Sequence, residues 1–380
     1  MNLRIWGGAV ALGLTAAMCA PAPDQQGQVE AQQSTAEVHE KGGEDLMGPY
    51  EVVEDWPQPL PDHEGWTWGS TAGIFAETPD KIFILQRGEL PALPPGTSQR
   101  AATTAEPRWE HCVLVVDGNG KLIDTWTQHD ELFYRGHKIL ISPYDPDKHV
   151  WIISAGLAPA STEGNHQIFK FTNDGKELVM TLGEGSTGND ESHFSGPTDI
   201  AWLPDGTFFV TDGYINTRVV KFSKDGEYLM EWGEPGTGPG EFDLLHGIAI
   251  DDQRRVYVSD RSNRRIQIFD ENGNYLDEWP NLRSPYHLYV TADQHLWVAD
   301  GATHRILKYD LNGKLLDSWG TSGRFPGALG GVHQISVDQD GNLYLAEVNN
   351  GRAQKFRPRP GADHGRLVGQ PLRFAATSSN

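Results

Sequence analysis

Three histidines, His137, His246 and His333, stand near the start of short apolar strands in alternate copies of an internal repeat. The strands read GHKILI, HGIAI and HQISV, with the histidine at the same register in each. If the copies close into a ring, these imidazoles lie about a third of a turn apart and converge on one axis. Three neutral imidazoles leave one coordination position of zinc open, which is typical of a catalytic metal site. The alternative is three structural histidines bonded to backbone groups at strand starts.

The end of the second strand in each copy should lie beside the start of the first, because the two strands are antiparallel. Arg87 and Arg261 occupy equivalent places there, in the first and fourth copies, and Tyr214 lies one residue further along in the third. Two guanidiniums beside a metal suit an anionic substrate, since arginine binds a carboxylate through two parallel hydrogen bonds. A tyrosine in such surroundings can act as a general base. The sequence therefore predicts a catalytic site for a carboxylate-bearing substrate at one mouth of the ring.

The repeat that positions these residues has a period of about 40 residues. Each unit has an apolar strand, a D-x-x-G-type turn, a second strand that ends in an acid, a third strand, and a fourth that ends at Trp. Four clear copies lie at 197–233, 246–279, 285–320 and 332–356, and two degenerate copies at 66–126 and 133–183. Such units are propeller blades, so the sequence predicts an all-β, six-bladed β-propeller over residues 49–360. The sixth copy has three clear strands, and residues 50–53 are predicted to add the fourth and close the ring.

Acidic residues end the second strands of the four clear copies, and an arginine follows each at nearly the same offset. The pairs are Asp212 with Arg218, Asp260 with Arg265, Asp300 with Arg305, and Glu347 with Arg352. Because the pattern recurs in every clear copy, we interpret it as scaffold, with salt bridges and turn contacts. The remaining histidines, among them His63, His111 and His287, share no register and are interpreted as surface or loop residues.

The first residues have the pattern of an export signal. Arg4 supplies the positive charge, an apolar run follows that is too short to span a bilayer, and small residues end it, so residues 1–19 are predicted to be a signal peptide. Cys19 is either a lipidated cysteine or is lost by cleavage near Ala20 or Ala22. The protein is therefore predicted to be exported, to the periplasm, to the outer membrane as a lipoprotein, or to the outside of the cell.

The segments that flank the propeller are polar. Residues 20–48 are predicted to be a disordered linker and residues 361–380 a polar tail. Beyond Cys19 the chain has only Cys112, so no intramolecular disulfide is expected. The formal net charge of −21 argues against nucleic acid or an anionic membrane as a partner, because either requires a basic patch. We expect a monomer without a transmembrane segment that acts on a small molecule or peptide bearing a carboxylate.

The repeat resembles the NHL repeat over about residues 66–357, and further stretches are similar to the peptidyl-α-hydroxyglycine α-amidating lyases, which perform the second step of peptide amidation. Those stretches follow in the same order, as LFYRGH, SHFSGPTDIA, FVTDGYINTRVVKF, FDLLHGIAI and SDRSNRRIQIF. ILQRG precedes them, and GGVHQISVDQDGNLY follows. The family's three zinc-binding histidines fall on His137, His246 and His333. Its catalytic tyrosine falls on Tyr214, and its two active-site arginines fall on Arg87 and Arg261.

This resemblance implies a zinc-dependent carbon–nitrogen lyase that cleaves a peptidyl-α-hydroxyglycine to a peptide amide and glyoxylate. Tyr214 would take the proton of the substrate hydroxyl, zinc would act as Lewis acid and template, and the arginines would orient the carboxylate. A substrate that is some other α-hydroxy-amide remains open.

The chain departs from the family in three places. The family has a methionine two residues before its last zinc histidine, where this chain has Gly331, and an acid directly after that histidine, where it has Gln334. That acid helps to hold a structural calcium, whose two backbone carbonyls would fall on Ile74 and Ile139. Its loss argues against calcium. The family's disulfides are also absent, with Ile215 where a cysteine would follow the tyrosine.

Two other classes of function remain open. One is a non-catalytic NHL propeller whose mouth binds a protein or peptide, which would place no demand on a metal. The other is a metal-dependent hydrolase or lactonase of the six-bladed calcium class, which would need acids and amides around the axis. The three-histidine register favours the lyase over both.

Overall fold

Six four-stranded antiparallel sheets form the blades of the propeller predicted from the sequence. The computed structural model describes residues 45–61, 63–92, 107–156 and 162–370, so the predicted signal peptide, Cys19 and most of the linker lie outside the described residues. The innermost strands are Thr71–Thr78, Gly136–Ile141, Pro197–Trp202, Leu245–Ile250, Pro285–Val290 and Val332–Val337. The second strands are Lys81–Gln86, Val150–Ser154, Phe208–Asp212, Val256–Asp260, His295–Asp300 and Leu343–Glu347.

The outer half of each blade completes the sheet. The third strands are Val113–Val116, Gln167–Phe171, Arg218–Phe222, Arg265–Phe269, Arg305–Asp310 and Arg352–Pro358. The fourth strands are Leu122–Thr125, Leu178–Leu182, Tyr228–Trp232, Tyr275–Trp279 and Leu315–Trp319, and in the sixth blade Tyr50–Val53. Two-stranded ladders join Trp66–Thr67 to Leu90–Pro91 and Glu234–Pro235 to Glu241–Phe242. The described helices are two short 3-10 turns, Thr127–Leu132 and His364–Arg366, and none could cross a bilayer.

The ring closes through the N-terminal strand, as predicted. Tyr50–Val53 pairs antiparallel with Arg352–Pro358, so the sixth blade combines the two ends of the propeller. The Tyr50 side chain is fully buried, and its hydroxyl oxygen accepts a hydrogen bond from the backbone N–H of Val368 at 2.8 Å. The closure removes an open sheet edge that would otherwise be exposed to other chains.

Burial explains why the inner strands are apolar on both faces. Every residue of Leu245–Ile250 and Val256–Asp260 is buried, because each blade is covered by its two neighbours. The fourth strand, Tyr275–Trp279, is largely exposed and carries acidic residues. Its last residue packs against the turn of the next blade, where a Cβ on Gly313 would lie 2.7 Å from Trp279 Nε1. The recurring Trp and Asx-Gly turn therefore join neighbouring blades.

The recurring acid–arginine pairs are scaffold in three of the four clear copies. Arg265 Nε lies 2.8 Å from the buried Asp260 carboxylate, and its other nitrogens donate to backbone carbonyls of the loop that enters the same blade. Equivalent pairs join Arg218 to Asp212 and Arg352 to Glu347. The fifth blade differs, because Arg305 is exposed and donates to Ser318 Oγ, while the Asp300 carboxylate accepts from backbone N–H groups.

The described parts of the predicted linker and tail lie against the sixth-blade side of the ring. Met47 packs on the core cluster that contains Trp319, and Val368 is buried in the same cluster. Arg366 forms ion pairs with Asp317 at 2.8 Å and with Asp45. The described residues 45–48 and 361–370 therefore extend the packed part of the chain beyond the blades.

Candidate metal centre

A β-bulge at one position of every innermost strand builds the hub of the propeller. In each blade the pairing with the second strand shifts register around a single unpaired residue. In blade order these residues are Ala72, His137, Thr198, His246, Tyr286 and His333. A bulge bends the strand and redirects the side chain and backbone groups of the extra residue. The register identified in the sequence is therefore a ring of six equivalent bulges.

The bulges of alternate blades hold the three imidazoles in place. Each histidine Nδ1 faces the carbonyl oxygen of the next blade's bulge residue. The distances are 2.6 Å for His137 to Thr198, 2.7 Å for His246 to Tyr286, and 2.7 Å for His333 to Ala72. A carbonyl can only accept, so all three Nδ1 atoms carry the proton. The alternative of histidines bonded to backbone groups therefore holds for Nδ1 of each ring. Every Nε2 still has a lone pair that no backbone group of the described residues uses.

The three Nε2 atoms face one another at the hub. Each histidine offers one ring nitrogen to a group in which all three atoms lie within 4.8 Å of one another. Tyr214 Oη lies 3.1 Å from Nε2 of His137 and 3.1 Å from Nε2 of His246, and the buried Nε2 of His333 has no hydrogen-bond partner among the described residues. A single phenol proton cannot satisfy three lone pairs, and a buried acceptor left alone costs about 1–3 kcal/mol. A cation bound by all three nitrogens removes that deficit, so the residues present fit a metal.

Burial keeps these ligands neutral. It is the largest cause that lowers the pKa of His137, His246 and His333 well below 6.5, and neighbouring positive groups lower it further. The neutral imidazole is the form that binds a metal, so protons compete weakly for the site at neutral pH.

The two predicted arginines occupy matching places in opposite blades. The backbone N–H of Arg87 donates to Ser70 O at 2.9 Å, and that of Arg261 donates to Leu244 O at 3.0 Å. Arg87 Nε donates to Gly136 O at 3.1 Å, and its buried Nη2 has no partner in the part of the chain that the structure describes. Burial, the largest cause, and the neighbouring Arg135 together lower the pKa of Arg87 to about 9. Arg261 lies 4.7 Å from the centre of the Tyr286 ring. Arg87 is thus a cation with a free donor.

Arg135 is a third arginine of this mouth, which the sequence analysis did not single out. It is buried, its guanidinium lies 4.6 Å from the centre of the Tyr214 ring, and its Nη1 finds no hydrogen-bond partner within the described ranges. The signal available in the sequence was its position two residues before His137, on the same strand entry. Arg87 and Arg135 thus each leave a donor for an incoming anion.

The position where the resemblance implies a calcium ion is filled by the side chain of Gln334. Gln334 Nε2 donates to the carbonyl of Ile139 at 2.7 Å, and its Oε1 accepts from the backbone N–H groups of Ile74 and Ile139 at 3.3 and 3.4 Å. Lys138 Nζ donates to the carbonyl of His333, and burial lowers the pKa of this lysine to about 8. Calcium needs oxygen ligands, and here an amide nitrogen faces the Ile139 carbonyl. These residues do not fit a calcium ion.

Comparisons with known proteins agree with this fold. Residues 187–282 match a protein family described as a 6-bladed beta-propeller. Over 242 residues the chain is 32% identical to a peptidyl-glycine alpha-amidating monooxygenase of Mus musculus, covering 59% of this chain and 23% of that protein. Over 161 residues it is 32% identical to a probable peptidyl-alpha-hydroxyglycine alpha-amidating lyase of Caenorhabditis elegans, covering 41% of this chain and 42% of that protein.

A solved structure described as a streptogramin B lyase structure superposes with a TM-score of 0.52 at 13% identity, covering 82% of this chain and 97% of that one. At that identity the likeness concerns the fold alone. The chain spans less than half the length of the two amidating relatives that it matches.

Proposed function

We propose a lyase activity for this chain, a six-bladed β-propeller homologous to the peptidyl-alpha-hydroxyglycine alpha-amidating lyases and NHL repeat proteins at moderate identity. The substrate is a peptidyl-α-hydroxyglycine or a similar α-hydroxy-amide, and the products are an amide and glyoxylate. The observation that supports this most strongly is the meeting of three imidazole Nε2 atoms with the Tyr214 hydroxyl, beside arginines that retain free donors.

The metal would be held by His137, His246 and His333, and zinc suits three neutral imidazoles. When bound, zinc supplies Lewis-acid charge and a template for the reacting group. The Nδ1 hydrogen bonds fix the ring orientations in advance, because the partners are backbone carbonyls of neighbouring blades.

Tyr214 is the base in this proposal. Its hydroxyl oxygen lies in hydrogen-bond contact with two of the three imidazoles, and the guanidinium of Arg135 lies over its ring, so a phenolate would lie among positive charges. The phenolate takes the proton of the substrate hydroxyl. The oxygen's electron pair forms the aldehyde C=O, the C–N bond breaks with its electrons on nitrogen, and the phenol returns the proton to that nitrogen. An amide and glyoxylate result, with no oxidant or water consumed.

The arginines bind the substrate carboxylate. Arg87 and Arg135 each have a buried guanidinium nitrogen that no other described residue pairs with, and a carboxylate oxygen can satisfy it. Arg261 adds positive charge from the opposite blade, where it lies over the Tyr286 ring. These contacts hold the α-carbon of the substrate beside the Tyr214 oxygen, and they favour anionic substrates over amidated ones.

The direct test is glyoxylate release from α-hydroxyhippurate by the purified protein, before and after chelation and again after zinc is restored. Release that is lost with the metal and recovered with zinc supports the lyase. A protein that binds zinc at the hub and releases no glyoxylate from this or a peptide substrate would instead point to a ligand-binding propeller.

A further inference from the structure

A second group of potential metal ligands lies outside the hub. His63, Glu89 and His111 come from three separate segments of the chain, and one side-chain atom of each lies within 4.8 Å of the others. The two imidazole rings are 4.3 Å apart between centres. His111 Nδ1 lies 3.2 Å from Glu89 Oε1, and His63 Nδ1 contacts the same oxygen. Both histidines lie in loops, in agreement with their interpretation as surface or loop residues, and both face one buried carboxylate.

The three facing atoms have no ordinary hydrogen bonds. His63 Nδ1, His111 Nδ1 and Glu89 Oε1 are all buried, and within the described residues none makes a well-aligned hydrogen bond, so their contacts are the two imidazole–carboxylate ion pairs. The Glu89 side chain is completely buried, whereas the side chains of His63 and His111 are 10% and 19% exposed. A small ion can therefore reach the group from solvent past the imidazole edges.

The two oxygens of Glu89 have different surroundings. Oε2 is bound by Arg108, whose Nε lies 3.1 Å away, and Oε1 faces only the two imidazoles among the described residues. Carboxylates that bind metals are commonly held by a second group on the other oxygen, which fixes their direction. Arg108 has that position here, and it leaves Oε1 as a single directed ligand.

We propose that His63, Glu89 and His111 form a second site for a divalent transition-metal ion, separate from the hub. Two imidazoles and one carboxylate on one side of an ion are a common ligand set for zinc and for non-haem iron, with the remaining positions open to water. Oxygen-only cations such as magnesium and calcium do not suit this set.

Hydrogen bonds restrain the backbone on which Glu89 and His111 are carried. Glu89 and Arg108 exchange backbone hydrogen bonds of 2.8 and 2.9 Å. His111 has a positive φ of 56°, and the Asp130 carboxylate accepts from the N–H groups of His111 and Cys112 at 2.8 Å each. A non-glycine residue held in that region costs free energy, which the surrounding contacts must offset.

The second site is linked to the hub through the chain. Glu89 follows Arg87 by two residues, so an ion on Glu89 restrains the segment that presents Arg87 to the hub. We therefore assign the second site a structural role, in which a bound ion would stabilise the segment that carries Arg87. Its ligand set differs from the three imidazoles of the hub.

The test is Co²⁺ titration of the chelator-stripped, full-length protein, with bound metal counted and the visible absorption recorded. Wild type binds two equivalents with two distinguishable spectra. His63→Ala and Glu89→Gln each lose one equivalent and keep the hub spectrum, whereas His246→Ala loses the hub spectrum and keeps the other. Glu64→Gln, a change of an exposed acid beside His63, retains both and is the matched control.

The proposal is overturned if wild type binds one equivalent that His246→Ala abolishes, or if His63→Ala and Glu89→Gln both keep two. Two separate substitutions, one of them the isosteric Glu89→Gln, each remove one of the three side chains, so poor folding of His63→Ala alone does not block the test. The readout is also independent of lyase activity, so failure of the proposed reaction leaves it unaffected.

Discussion

The imidazole of His333 donates from Nδ1 to the carbonyl oxygen of Ala72 at 2.7 Å, which joins the sixth blade to the first at the hub. His137 and His246 make the same bond to the blade that follows each of them. The direction of every Nε2 is therefore set by the main chain of a neighbouring blade. The arrangement of the three imidazoles depends on closure of the ring, because each histidine is oriented by a neighbouring blade.

Closure of the ring by the N-terminal strand Tyr50–Val53 is expected to contribute a large part of the free energy of unfolding. Tyr50→Phe removes only the acceptor of the Val368 N–H and should cost about 1 kcal/mol of unfolding free energy, whereas Tyr50→Ala also empties a core position and should cost about 3–5 kcal/mol. Denaturant unfolding measures both. Equal stability of wild type and Tyr50→Ala would mean that the strand does not close the ring in solution.

The acid–arginine scaffold gives a matched pair of substitutions. Arg265→Met leaves the buried Asp260 carboxylate without its cation and should cost about 3–5 kcal/mol, whereas Arg305→Met removes only an exposed contact to Ser318 and should change stability by less than about 0.5 kcal/mol. Thermal and denaturant unfolding of the two variants decide this. Similar losses in both would show that the repeated arginine acts through something other than its buried partner.

Acid sensitivity should depend in part on His287, which was interpreted as a surface or loop residue and is in fact buried. Its Nδ1 accepts from the N–H of Ile335 at 3.1 Å, and burial lowers its pKa well below 6.5. Below pH 6.5 the unfolded chain binds a proton here that the folded chain does not, so stability falls as pH falls, by about 1.4 kcal/mol per pH unit for one such group. In His287→Asn the amide oxygen can still accept from Ile335, and the loss of stability between pH 6.5 and about pH 5.5 should be shallower by up to that slope. Parallel curves for the two proteins would contradict this.

Tyr214→Phe separates proton transfer from metal binding. The substitution removes the hydroxyl and none of the three imidazole ligands, so bound zinc should be unchanged while kcat for glyoxylate release falls about 10²- to 10⁴-fold. Tyr134→Phe, at an exposed tyrosine of the adjoining strand entry, is the control and should retain wild-type kcat. If Tyr214→Phe lost the zinc as well, the hydroxyl would be part of the metal site rather than the base.

Much of this architecture could be predicted, because the copies of an internal repeat can be compared with one another within a single sequence. The turn and strand pattern predicted six blades, and the missing fourth strand of the sixth blade pointed to residues 50–53, which the structure confirms. The shared register of His137, His246 and His333 predicted their convergence because equivalent positions of a closed ring face one axis.

Other features depend on contacts that no pattern records. The sequence around each bulge is equally compatible with a regular strand, so the bulges that direct the hub residues could not be predicted from it. Arg135 has no counterpart in the other blades, so no repeated position pointed to it. The contact of His63 with Glu89 depends on how two separate loops pack, which a sequence pattern does not record. The Asp300 to Arg305 pairing was expected by analogy with the other blades, but Arg305 extends toward solvent.

Anomalous diffraction at the zinc edge, from crystals of the zinc-loaded protein, tests the central claim most directly. The account predicts a peak at the hub, about 2.0–2.1 Å from Nε2 of His137, His246 and His333, with Tyr214 beside its open position. Absence of a peak there, or an ion bound by fewer than three of these nitrogens, would contradict it.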